Sequence, residues 1–367
     1  MADGISIDWR VEAETLKVDV SFSDPKFVGM ACKLTVEMFV ETLQSNGTDA
    51  RKTVLTEPFK AEQLGNSFDI PLADIKGFSF FGEHIRITPE LVVTIDDGVL
   101  WDTKERAMLD LPMPARNSAA LSVGEPSQVL NPRDQISLAR NFGTLPTTRK
   151  LLMVLLIAIF GAGALAVFAV CLHDQFSADA LLFDPGSGVP PIVIGIIALV
   201  VGAVVLFFSY KAVLRGYMHV ELRSDFGMIS ANTRMRVADL FSAVSRTPVT
   251  GLQVRLVAGA LECGEYVQRS GTDTNYVAFR RPVSALVLYE KTTAAVPANV
   301  DVQQYFTEEI DFGSMFAALY PPCMYSNRHG LAVVLKLQLV VPDLADFELE
   351  IPYERIDFDA FMVPAAS

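Results

Sequence analysis

The residues whose types and spacing could do chemistry are few, and each has a plainer role open to it. Gly161, Gly163 and Ala166 match the dinucleotide fingerprint GxGxxA, with Asp184 further along where a ribose hydroxyl would need an acid. That chemistry requires a strand, a tight turn and an amphipathic helix inside a βαβ unit, whereas one unbroken apolar run passes through all these positions. Glu308, Glu309 and Asp311 gather carboxyl groups, but glycosidase-type catalysis needs two of them facing across a cleft. A solvated strand edge carries such a run without any catalytic role. Asp96, Asp97 and Gly98 would supply only part of the about six oxygens a calcium ion takes, and their order is that of a hairpin turn.

His84, His173, His219 and His329 are far apart, and none has the spacing of a zinc ligand set. Cys32, Cys171, Cys263 and Cys323 contain no CxxC pair. They read as reduced thiols, Cys171 within an apolar helix. The sequence has no GxSxG, HExxH, Walker A or EF-hand pattern, so no catalytic residue, cofactor or metal is assigned. Arg280 and Arg281, after the polar loop RSGTDTNY, are the most pointed surface feature of the C-terminal half. They suit an anionic lipid or a phosphate on a partner, though ordinary strand-end charges are the plainer reading.

The elements that must position these residues follow from composition and pattern. At 367 residues the chain is long enough for about two domains. Its residues are 51% hydrophobic with a mean hydropathy of +0.33, yet 20% are charged. That mixture points to soluble domains plus a local membrane segment. A net charge of -13 argues against a nucleic-acid partner, since neutralising phosphates takes a basic surface. The start MADGISIDWR has no basic region followed by an apolar one and does not read as a signal peptide.

Two apolar runs, Leu151 to Leu172 and Pro191 to Tyr210, are each long enough to cross a hydrocarbon core of about 30 Å. Paired prolines at 190 and 191 suit a helix start. Arg140, Arg149 and Lys150 precede the first run, and Lys211, Arg215 and Arg223 follow the second. The loop 173–190 between them has neither Lys nor Arg. Basic residues mark the cytoplasmic side, so both termini are expected there, with Arg149, Lys150, Lys211 and Arg215 as membrane-edge anchors. The loop is expected on the opposite side of a plasma or bacterial inner membrane. Ala158, Ala162 and Ala166 on the first helix, with Gly195 and Gly202 on the second, form small-residue faces suited to packing the hairpin on itself or on another copy.

The flanks read as antiparallel β. Residues 1–112 alternate apolar and polar side chains in LKVDVSF, KLTVEMFVETL and HIRITPELVVTI. Residues 113–148 lose the alternation and are rich in Pro, Ser, Asn and Gly, as in a linker. Within it, RDQISLARNF could lay Arg133 and Arg140 on a membrane surface. Residues 213–367 resume with YMHVELRS, TRMRVADLFSA, RPVSALVLYEK and GLAVVLKLQLVV. The fold class expected is mainly β with a transmembrane α-helical hairpin, two antiparallel β-sandwich domains flanking two transmembrane helices at about 151–172 and 191–210.

Over residues 218–353 the order of features resembles the arrestin-like sandwich family. GLQVRLVAGALECGEY looks like its central strand pair, and IDFGSMFAALYPPCMYSNRHGLAVVLKLQLV is similar to its apolar strand, Pro-Pro turn, glycine and long return strand. The resemblance implies a cytoplasmic adaptor that binds receptors, lipids or trafficking machinery without catalysis. The function expected is a membrane-anchored adaptor or scaffold whose partners are the lipid bilayer and other proteins. The alternative is an enzyme, or enzyme subunit, with its site in the cleft between the two β-domains. The Lys/Arg asymmetry has a direct consequence for labelling: a cysteine introduced at Ser187 should react with an impermeant maleimide in intact cells, and one at Ser45 should not. The opposite pattern would invert the topology.

Overall fold

The structure is a computed structural model that describes residues 4–96, 102–131, 147–177, 181–182, 189–270, 273–341 and 346–362. The Asp97–Gly98 turn, the stretch with Arg133 and Arg140 and half of the loop 173–190 lie outside these residues. The chain is mainly β, with two long apolar helices inserted between two β units.

The N-terminal unit has two sheets. One joins β1 (Ile5–Glu12), β2 (Thr15–Phe22) and β6 (Asn66–Pro71). The other runs β5 (Ala50–Lys60), β3 (Ala31–Thr42), β8 (Ile85–Ile95) and β7 (Phe80–Phe81), with β9 (Thr103–Met108) on β8 and all pairs antiparallel. Between them lies β4 (Gly47–Thr48), which pairs elsewhere. Period-two alternation puts Leu16, Val18 and Val20 of β2 opposite Cys32, Leu34 and Val36 of β3 in one core. Pro89 sits inside β8, where a missing N–H should be costly. On that side β7 has ended at Ile87 and β9 starts at Glu90, so the ladder asks nothing of it, and its carbonyl accepts from Leu109 N at 2.8 Å.

The C-terminal unit contains β10 (Met218–Leu222), β11 (Arg234–Arg236), β12 (Phe241–Ser245), β13 (Val249–Ser270), β14 (Asp273–Val296), β15 (Val300–Asp301), β16 (Glu309–Asp311), β17 (Cys323–Met324), β18 (Gly330–Val340) and β19 (Phe347–Glu350). Its main sheet has the order β14, β13, β18, β17, with β19 on β18 and β4 of the N-terminal unit on β13. The quoted GLQVRLVAGALECGEY is therefore part of one strand, β13, rather than a strand pair. The expected apolar strand before Pro321 is a short helix, Gly313–Ala318, in which Met315 and Ala318, three apart, are buried together with Phe316. In TRMRVADLFSA a 3-10 turn at Val237–Asp239 divides two strands.

The segment expected as a linker is docked over residues 113–131. Asn117 N donates to Ala317 O at 2.8 Å and Ser122 N to Ala285 O at 3.0 Å. Its short helix α2 (Pro126–Leu130) follows the four-residue α1 (Leu72–Ile75) in the chain and buries Val129 and Leu130 against Val257, Leu261 and Ala285. Gly259 makes room for this: a Cβ there would stand 2.7 Å from Leu130 Cδ1.

The inserted pair consists of α3 (Thr147–Leu156), a π-helical turn (Ile157–Gly161), α4 (Ala162–Phe176) and α5 (Pro191–Arg215). Its two apolar spans, Lys150–Phe176 and Pro191–Ser209, are long and apolar enough to cross a membrane, and little of either is buried inside the chain. Only Gly216 and Tyr217 separate α5 from β10. Tyr217 is fully buried, edge-on to Phe347 at 5.5 Å, and its carbonyl accepts from Arg246 N at 2.8 Å. The helix is thus plugged into the C-terminal core. Tyr217→Ala should lower stability by about 3–5 kcal/mol, measured as the denaturation midpoint of the detergent-solubilised chain, and should loosen the C-terminal unit from α5 in limited proteolysis.

Candidate functional site at the junction of the two β units

Strands in globular domains usually run 3–10 residues, whereas β13 and β14 have 22 and 24. Such a ribbon outruns the core of its own unit. As far as Cys263 it is paired on the other side by β18; beyond that, Glu265 and Tyr266 pair with Thr48 and Gly47 of β4, and Val267 N donates to Asn46 O at 2.9 Å. The N-terminal unit answers with long strands of its own. Met38 and Val40 of β3 and Ile85 and Ile87 of β8 continue past their own core to meet Phe279, Cys323, Tyr325 and Leu331. The two units share this apolar patch.

Its polar rim is built from both sides. Glu262 is fully buried, and its carboxylate accepts from Glu83 N at 3.0 Å and His84 N at 2.8 Å, at the turn between β7 and β8. Gly82 makes room for this carboxylate: a Cβ there would fall 1.8 Å from Glu262 Oε1 and would have to displace it. Burial raises the Glu262 pKa above the usual carboxylate range, against the opposing pull of the two amide bonds.

A second cross-unit contact centres on His329. Its Nε2 lies 3.0 Å from Thr48 O and its Nδ1 2.8 Å from Ser326 Oγ. A carbonyl only accepts, so Nε2 carries the proton, leaving Nδ1 to accept from the Ser326 hydroxyl. Thr48 Oγ1 donates to Glu265 O at 3.1 Å, and Arg328 pairs with the Glu265 carboxylate.

These groups have the makings of a nucleophile and base, and their bonding shows another use. Ser326 Oγ is within the reach a His-activated nucleophile needs, but it accepts from Arg328 N at 3.2 Å and His329 N at 3.1 Å, as a turn cap does. Both oxygens of Glu262 are taken by backbone amides. A cleft of about 540 Å³ opens nearby between the units, lined by Leu72, Pro112, Met113 and Met362, with Glu14, Lys76 and Asp359 as its titratable groups. Lys76 and Asp359 pair across it at 3.3 Å.

No protein-family model matches the chain, and no curated protein does. Among solved structures, the E. coli curli protein CsgC aligns with 28% of this chain over 95% of its own, at 14% identity and a TM-score of 0.13. A likeness this low carries no argument about fold or activity.

The acidic run does not reach His329. Glu308 pairs with Lys291 and accepts from Tyr289 Oη at 2.8 Å, Asp311 pairs with Arg234 at 3.3 Å, and Glu309 lies opposite Arg236 in a two-stranded ladder. His173 stands beside Asp174 and His219 beside Glu221. Among the described residues no three His, Cys, Asp or Glu side chains gather as a metal site. All four cysteines are free and buried, and burial pushes the Cys323 thiol up to about 12. Arg280 and Arg281 are exposed on β14, opposite Cys263 and Glu262.

In the hairpin, Gly195 packs on Phe168 and Cys171, and Gly202 on Ala164 and Phe160. Ala158, Ala162 and Ala166 are exposed, so the first helix meets α5 with other residues than the small ones expected. Lys150 is half-buried in α3; Arg149, Lys211 and Arg215 lie in the helices, their side chains outside the description. Sequence reading missed Glu262, and a signal was present: it is a lone acid in the run LVAGALECG.

A raised pKa means the folded seam holds the Glu262 proton more tightly than the unfolded chain. That contribution to stability is fully present below the unfolded pKa of about 4.3 and is lost as pH rises through the folded value. Glu262→Gln should remove the loss, so the Tm of the variant relative to the parent should rise as the pH is raised above about 4.3, the unfolded value, and through the higher folded one. Glu262→Ala should cost about 1–3 kcal/mol for each amide left without an acceptor.

Proposed function

We propose that the chain is an integral membrane adaptor in which α3 to α5 form a transmembrane hairpin. Its two β units, read as antiparallel sandwiches, form one joined cytoplasmic surface for protein partners. The observation that carries this is the apolar helix pair itself: spans of 27 and 19 residues with only 6% and 11% of their apolar windows buried by the chain. So much bare hydrocarbon needs a cover, and at 1.5 Å per residue both lengths suit a bilayer core of about 30 Å. The basic residues at the outer ends of the pair favour cytoplasmic β units and a translocated loop.

A stiff attachment supports presentation over tethering. With two residues between α5 and β10, and Tyr217 buried, the C-terminal unit is held against the membrane at a set angle. The N-terminal unit follows through the shared apolar patch. Pairing of Leu16, Val18 and Val20 with Leu34 and Val36 across two sheets supports the sandwich reading. Of the arrestin-like pattern, the Pro321–Pro322 turn and the long return strand β18 favour the resemblance, while the helix before that turn and the undivided β13 depart from it.

Two substitution sets at matched expression separate an adaptor from an enzyme. Glu308→Gln with Glu309→Gln should leave membrane and partner association unchanged. Arg280→Ala with Arg281→Ala should weaken partner association, by less as salt is raised, because exposed charges are screened within about 8 Å at physiological ionic strength. An activity lost with the acids while association survives would replace the adaptor by an enzyme.

A further inference from the structure

The outer edge of β14 is open where the ribbon leaves its own unit. Among the described residues strand β14 pairs only with β13, placing it at the end of the main sheet. Ser122 covers that edge at Ala285 and Val287, giving one bond and taking another. From there the docked segment runs toward Gln338, which donates to Leu130 O at 2.6 Å and pairs with Arg255, well short of the ribbon's tip. Among the described residues nothing pairs with the outer edge from Asp273 to Arg281. Pro282, which cannot donate, follows directly and stops any added ladder there.

The charge of this edge is opposite to that of the molecule. The chain carries a net charge of -13. Yet Arg280 and Arg281 stand side by side on this edge against one acid, Asp273, and among the described residues neither arginine has a carboxylate within ion-pair distance; Arg269, on β13 opposite Thr274, lies roughly 20 Å nearer the tip. Tyr276, 60% exposed, lies opposite Val267 on the same stretch. Arginine and tyrosine are the residues that dominate protein contact surfaces. Arginines on an edge also repel a second copy of that edge, so what they admit is a strand of opposite charge. Cys263, opposite Arg280, lies about 45 Å along β13 from Val249 at roughly 3.3 Å per residue. Val249 follows directly on the turn that contacts Tyr217 at the foot of α5.

We infer that the free edge of β14 from Asp273 to Arg281 receives an extended acidic segment of a partner protein as an added β-strand, with Arg280 and Arg281 pairing its carboxylates. Main-chain hydrogen bonds supply the affinity and the two arginines select charge. Their alternation along the strand sends one to each face of the ribbon, so a partner with adjacent acids meets both. This rests on the adaptor reading and names the chemistry of its partner.

The test uses the full chain in nanodiscs of neutral phosphatidylcholine and a fluorescent octapeptide of Thr and Val with two adjacent Glu at its centre. Anisotropy should show saturable binding. Arg280→Glu with Arg281→Glu, checked for an unchanged melting temperature, should weaken binding at least tenfold and transfer preference to the matching peptide with two Lys. A peptide in which Pro replaces every Val keeps the charges but loses strand donors, and should not bind. Equal binding of the Pro peptide, or an unchanged affinity in the reversed variant, would overturn strand addition. So would binding of phosphatidylserine vesicles that is lost in the same variant, which would assign the arginines to lipid. If the peptide fails while cellular partners still co-purify with the reversed variant, this inference falls and the adaptor reading stands. Failure of the chain to stay with carbonate-washed membranes would remove the adaptor reading itself.

Discussion

The length of the β13–β14 ribbon is the constraint on which the rest of the structure depends. A hairpin of more than twenty residues a side cannot be covered by one small core, so its inner and outer halves must find different partners. The inner half is the centre of the C-terminal unit, with Leu252, Val254, Leu256, Ala258 and Ala260 facing its largest apolar cluster. The outer half would be an exposed two-stranded ribbon, marginal by itself, were it not lapped by β3, β4 and β8. Two β units far apart in sequence are joined by overlapping strands, a stiffer connection than a loop could provide.

The polar groups at the lap set how the units meet. Apolar contact among Phe80, Phe279, Tyr320 and Leu331 favours association but tolerates sliding. A carboxylate that must meet two particular amides, at a turn where Gly82 leaves it room, does not. Glu262 and His329 therefore specify register as much as they add stability, and a buried charge held only by neutral donors is sensitive to proton concentration. The same side chains, in a more open arrangement, would have been read as catalytic.

Rigidity at the lap and rigidity at Tyr217 act together. Because α5 enters the C-terminal core through two residues, and the ribbon carries the N-terminal unit, the orientation of the whole β assembly is tied to the axis of one helix. Glycines at 195 and 202 bring the other helix close enough to steady that axis. The ribbon's outer end, where Arg280 and Arg281 have no carboxylate partner among the described residues, is then carried to a defined place.

Much was legible in local pattern. Uninterrupted apolar runs longer than any soluble helix needs announce the hairpin, and period-two alternation announces β2, β3, β8 and β18, because both signals depend on neighbours along the chain. What only the tertiary structure decided is where distant segments meet. The sequence around Met315 reads as an apolar strand because helix and strand share short apolar runs, and residues 113–131 read as a linker because their anchors, Ala285, Gln338 and Ala317, lie far along the chain. Glu262 was visible as an acid among apolar residues, but its partners are amides of Glu83 and His84, which carry no side-chain signature. Pairings of that kind are set by three-dimensional closure of the backbone, and no residue type in one segment encodes them.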